Sequence, residues 1–151
     1  MKKFNKILFA TDFSEISEYA FGYALTLAET FHARLIIMHV INEPVDLRGF
    51  YVPHISFDTI EREIALSAEK MMDKFCNKNV KNYDNYEKCT VLGVPYEEIL
   101  KKADEENADL LVMGTHGRAG IDHLLFGSTA ERVVRKSACP VMTVRPPESV
   151  K

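Results

Sequence analysis

Three stretches of this chain are apolar at nearly every position, without the alternation that would leave one face wet. They are Ile7-Leu8-Phe9-Ala10, Leu35-Ile36-Ile37-Met38-His39-Val40 and Leu110-Leu111-Val112-Met113. A strand that is apolar on both faces must be covered on both faces, as in a parallel sheet sandwiched between helices. The intervening segments supply those helices. From Ser14 to about Phe31, Ile16, Ala20, Ala24, Leu27 and Phe31 recur at helical spacing, and from about Asp58 to Asn77 the stripe is Ile60, Ile64, Ala68, Met71 and Phe75. Tyr86 to Leu92 is a weaker strand, mixed with Glu87 and Lys88, and belongs at an edge. Pro95 suits the first turn of a third helix with Ile99, Leu100 and Ala103 facing inward. A fourth helix over about Ser128 to Lys136 and a last strand over Pro140 to Arg145 complete the pattern. Asn42 to Phe57 breaks it: Pro44, Gly49 and Pro53 stand beside Phe50 and Tyr51, and the segment reads equally as a lid or as a surface excursion.

This order predicts a doubly wound α/β fold over residues 1–151 as a single domain. The expected sheet is parallel and five-stranded, in the order 3-2-1-4-5, with helices on both faces. Ligands of such sheets bind beyond the carboxyl ends of the strands where the winding reverses, which here lies between strands 1 and 4. A formal charge of −3 offers no basic footprint for nucleic acid. The first apolar run, halted by Asp12, is too short for a secretory core or a bilayer span, so no membrane partner is expected. Cys76, Cys89 and Cys139 are odd in number and scattered, which points to reduced thiols and a cytoplasmic protein.

Strand 4 runs into a glycine-punctuated stretch, Gly114-Thr115-His116-Gly117-Arg118-Ala119-Gly120, which continues to Gly127-Ser128-Thr129 at the start of the fourth helix. Such a loop gathers unpaired amides and the positive end of a helix dipole, and suits an anion, phosphate first. Arg118 is the one fixed cation in it, able to pair with phosphate oxygens or simply to stay solvated. Ser128 has a second reading, since Ser128-x-x-Glu131 has the form of a capping box; Asp12, with Glu15 three residues on, has the same form at the first helix. His116, Asp122 and His123 fit no standard metal-ligand spacing. The chain has no P-loop, its glycines are not spaced as a dinucleotide fingerprint, and no G-x-S-x-G elbow occurs.

The spacing Gly114-x2-Gly117-x9-Gly127-Ser128 resembles the ATP-binding signature of the universal stress protein family. Thr11-Asp12-Phe13-Ser14, His39-Val40, Gly93-x-Pro95 and Cys139-Pro140-Val141 resemble that family too, so that the likeness runs along essentially the whole chain. Ala10 stands where some ATP-binding members have proline. The resemblance implies an adenine-nucleotide alpha-hydrolase-like fold and ATP as ligand, with Mg or Mn. It implies that Asp12 and the Val40 backbone contact the adenine end, that Gly114 and Gly117 let the chain pass close to ribose and phosphates, and that Gly127, Ser128 and Thr129 hold phosphate.

No lysine stands in the loop and no base is fixed by a second residue, which favours binding over turnover. The expected role is therefore a nucleotide-dependent sensor or regulator in the stress response, read by an unknown protein partner. A slow Mg-dependent ATPase and a dimeric interaction module without nucleotide are the alternatives. Val141-Met142-Thr143-Val144 would form a bare apolar edge, and pairing of that strand about a two-fold axis, as in the family the chain resembles, predicts a homodimer.

Overall fold

A computed structural model describes residues 1–42, 57–116 and 126–147. Its elements follow in the order β1 (Lys6–Ala10), α1 (Glu15–Phe31), β2 (Arg34–Asn42), α2 (Phe57–Asn79), β3 (Tyr86–Gly93), α3 (Pro95–Glu106), β4 (Leu110–Gly114), α4 (Ser128–Lys136) and β5 (Val141–Val144). The strands form one parallel sheet in the order β3-β2-β1-β4-β5. This is the expected architecture. The possible lid lies mostly outside the described residues, since 43–56 are not among them.

Alternation along each strand sends successive side chains to opposite faces and so builds two cores. Ile7 and Phe9, Leu35 and Ile37, and Leu110 and Val112 face α1 and α2, where they meet Ala20, Phe21, Ala24, Ala28, Met72 and Phe75. Leu8, Ile36, Met38, Leu111 and Met113 face α3 and α4, against Ile99, Ala103, Ala130 and Val133. Phe9 is the aromatic centre of the first core, edge-on to Phe21 at 5.1 Å and stacked over Phe75 at 6.2 Å. The fully buried face of α1 is mostly alanine, which lets the helix axis come close to the sheet.

One assignment on α2 is corrected. Met71 was expected on the buried stripe, but it is exposed, and Met72 is the buried neighbour. The inward stripe is Ala68, Met72 and Phe75, steps of four and three that keep it over the sheet. Among the described residues no helix is long and apolar enough to cross a membrane.

Candidate functional site

At the carboxyl end of β1 the chain is held by Thr11. Its amide donates to the Met38 carbonyl at 2.8 Å, and its own carbonyl accepts from His39 Nδ1 at 2.7 Å, which places the imidazole proton on Nδ1. Its Oγ1 accepts from the Phe13 amide at 2.9 Å and from the Ser17 hydroxyl at 2.6 Å. Thr11 is 6 % exposed and Ser17 3 %, so this hydroxyl pair is sealed under the loop. Phe13 takes a left-handed backbone, φ 65°, and its ring lies 4.3 Å from that of His39.

Asp12 is not the cap of α1. Ser14 is: its side chain accepts from the Ser17 amide at 3.2 Å. Asp12 Oδ1 instead accepts from the Ser14 amide at 3.0 Å, a local turn that leads the chain into the helix. Val40, at the end of β2, buries its side chain in the α3/α4 core, which leaves its backbone as the part able to meet a ligand.

At the end of β4, Thr115 ties three segments together. Its amide donates to the Val144 carbonyl at 3.1 Å, and its carbonyl accepts from the Gly127 amide at 2.7 Å. Its Oγ1 lies 3.0 Å from His116 Nδ1. Gly114 is needed for packing: a Cβ there would stand 2.9 Å from Cγ2 of Ile16 on α1. That close approach brings the first turn of α1 against the start of the glycine loop.

The capping box at Ser128 is absent. The N-cap of α4 is Gly127, at φ −74° and ψ 167°, with no side-chain cap bond, and Ser128 is the first residue inside the helix. Glu131, which a capping box would turn back toward the N-cap, pairs with Arg135 at 2.9 Å. The amides of Ser128, Thr129 and Ala130 therefore have no intrahelical acceptor. Their positive end of the helix lies beside Thr115, the residue that follows β4, through the Gly127–Thr115 bond.

Asp12, Val40, Gly114, Gly127, Ser128 and Thr129 thus share the carboxyl edge of the sheet, around the reversal between β1 and β4. Gly117 and Arg118, with Asp122 and His123, lie outside the described residues. Among the described residues no three His, Cys, Asp or Glu side chains gather as a metal site. A groove of about 380 Å3 lies elsewhere, between α2 and the outer part of the sheet, lined in part by Asp58, Glu61, Glu69 and Leu92. Its carboxylates outnumber its one cation, Arg62, and suit an anion poorly. Thr11 and Ser17 were missed by sequence reasoning, although Ser17 gave a signal: a lone hydroxyl in the stripe that continues through Ala20, Ala24 and Ala28 requires a buried partner.

The family model for the universal stress protein family matches residues 3–145. Universal stress protein YxiE of Bacillus subtilis is 35% identical over 147 residues, covering 94% of this chain and 99% of its own length. Universal stress protein MJ0577 of Methanocaldococcus jannaschii is 28% identical over 154 residues, covering 94% of this chain and 95% of its own. The solved structure of MJ0577 superposes with a TM-score of 0.84 over 97% of this chain and 99% of that one. A universal stress protein crystallised in complex with cAMP superposes with a TM-score of 0.61 at 27% identity, over 95% of this chain and 98% of that one.

Proposed function

This chain belongs to the universal stress protein family, and on that premise we propose that it binds ATP at the carboxyl edge of β1 and β4 and acts as a nucleotide-dependent regulator. The observation that carries the reading is the N-terminus of α4. It is capped by a glycine with no side-chain bond and is held 2.7 Å from the Thr115 carbonyl, beside the point where the sheet reverses. A phosphate there would accept from the amides of Ser128, Thr129 and Ala130, in line with the helix dipole. Gly127 keeps side-chain bulk away from that approach, and the hydroxyls of Ser128 and Thr129 supply further donors. Asp12 and the backbone of Val40, at the ends of the two neighbouring strands, fall at the adenine end. The relative crystallised with cAMP supports an adenine nucleotide as the ligand class. Mg or Mn would arrive with the polyphosphate and offset its charge.

The described residues at this edge provide donors and a dipole but no lysine. Binding that stabilises one loop conformation, read by another protein, follows more directly from them than rapid turnover. The same reading includes a homodimer. Leu111 donates to the Pro140 carbonyl and Thr115 to that of Val144, so the alternate residues Val141 and Thr143 point their backbone groups away from β4, toward the open edge. A second copy of β5 would satisfy them.

Thermal unfolding with and without Mg-ATP tests the reading, with GTP and cAMP as comparisons. At about 100 times Kd, binding adds about 2.7 kcal/mol, a rise of roughly 5–10 °C for a chain of this size. Gly127→Val should remove the shift while the protein still unfolds cooperatively. An equal shift in that variant would sink the site; no shift in the wild type, freed of any co-purified nucleotide, would sink ATP as the ligand.

A further inference from the structure

We infer that Thr11 is the positioning residue of this site: its hydroxyl holds the β1–α1 loop in the conformation that presents Asp12 to the nucleotide. The inference rests on the ATP-binding reading and assigns a role within that same site. Asp12 lies between two residues whose backbones are fixed in unlike ways. On one side, Thr11 is bonded to β2 through both its amide and its carbonyl. On the other, Phe13 has φ 65°, a region in which a bulky aromatic residue is an outlier and persists only where its surroundings hold it.

Two things hold it there. The Phe13 amide donates to Thr11 Oγ1 at 2.9 Å, and its ring is packed against His39 at 4.3 Å and Phe75 at 5.9 Å. The Ser17 hydroxyl donates to the same oxygen at 2.6 Å, orienting the threonine from the first turn of α1. The Thr11–Phe13 bond brackets Asp12 alone and so fixes how its peptide units are turned; the Thr11–Ser17 bond closes over the wider segment 12–16 and ties it to α1. The two bonds therefore differ in what they control, although they meet at one buried atom. A purely structural threonine would make them equivalent for ligand binding.

Titration calorimetry with Mg-ATP separates the two cases. Thr11→Val keeps the branched shape and removes the oxygen; affinity should fall about tenfold or more. Thr11→Ser restores the acceptor and should recover affinity to within about twofold. Ser17→Ala breaks the wider closure and leaves the Thr11–Phe13 bond around Asp12 in place, and should lower thermal stability while leaving affinity within about threefold. In an Asp12→Ala background, Thr11→Val should cost nothing further. Thr11→Cys, which lacks the methyl and offers only a weak acceptor, replaces Thr11→Val if that variant does not fold. Tight binding by the wild type with unchanged affinity in Thr11→Val, or equal losses in Thr11→Val and Ser17→Ala, would overturn the positioning role alone. A wild type that binds no adenine nucleotide would overturn the ATP-binding reading, and this role with it.

Discussion

The Cγ2 methyl of Ile16 stands 2.9 Å from the point that a Cβ on Gly114 would occupy. The first glycine of the loop therefore serves the contact between β4 and α1, whatever else it does for a ligand. Ile16 is branched at its own Cβ and cannot swing that methyl aside freely. Gly114→Ala should cost about 1–3 kcal/mol, as overpacking does. Ile16→Ala in the same chain should return part of it, so that the double variant is more stable than the sum of the two losses predicts. Urea unfolding of the four proteins measures this, and strictly additive losses would mean that another contact limits position 114.

At the proposed phosphate site, Gly127 sets stability against binding. Its φ and ψ are open to any residue, so its value lies in having no side chain rather than in backbone freedom. Gly127→Asp supplies the missing cap and a favourable charge at the helix start, and should raise stability by a few tenths of a kcal/mol. The same carboxylate occupies and repels the phosphate position. Thermal melts should then show a higher midpoint without nucleotide and no shift with Mg-ATP; a retained shift would move the phosphate away from this helix end.

The proposed dimer edge calls for a substitution that spares the core. Val144 is 7 % exposed and packs in the α1/α2 core, so a lysine there would test folding rather than pairing. Thr143 is the better site: its backbone points to the open edge, and proline is tolerated on an edge strand while removing the N–H. Thr143→Pro should give a folded monomer by light scattering. An unchanged dimer would place the interface elsewhere.

Burial pushes the Cys76 thiol up to about 11, with Lys88 pulling it part of the way back. Because the folded state favours the protonated thiol, its contribution is intact below the unfolded value near 9 and disappears as pH rises toward about 11. Burial raises Tyr83 as well, so the two groups act with the same sign. Urea midpoints should decline above about pH 9, and less steeply in Cys76→Ala. Equal slopes would assign the alkaline loss to other groups.

The strands that are apolar on both faces announced the sheet, and the expected winding is the one that the structure shows. Met71 and Met72 show what periodicity leaves open: with adjacent methionines on one helix, only packing against the sheet decides which faces in. Ser128 shows a second limit. A serine three residues before a glutamate reads as a cap, yet the helix starts one residue earlier, because the Gly127 amide is held by the Thr115 carbonyl and Glu131 turns to Arg135. The role of Thr11 was hidden for a related reason. Its partners, Met38, His39, Phe13 and Ser17, come together only when β2 lies beside β1 and α1 folds back over both.

Thr115 is anchored on one side by Val144 and on the other by Gly127, so β5 helps to pin the end of β4 to the start of α4. Strands β1 to β4 precede β5 along the chain, and the Thr115 amide gains its Val144 acceptor only when β5 docks beside β4. A growing chain would therefore hold β1 to β4 before the proposed nucleotide site gains its last anchor. Completion of that site would wait for β5 to dock, which makes the placement of one four-residue strand a check on the helix start beside it.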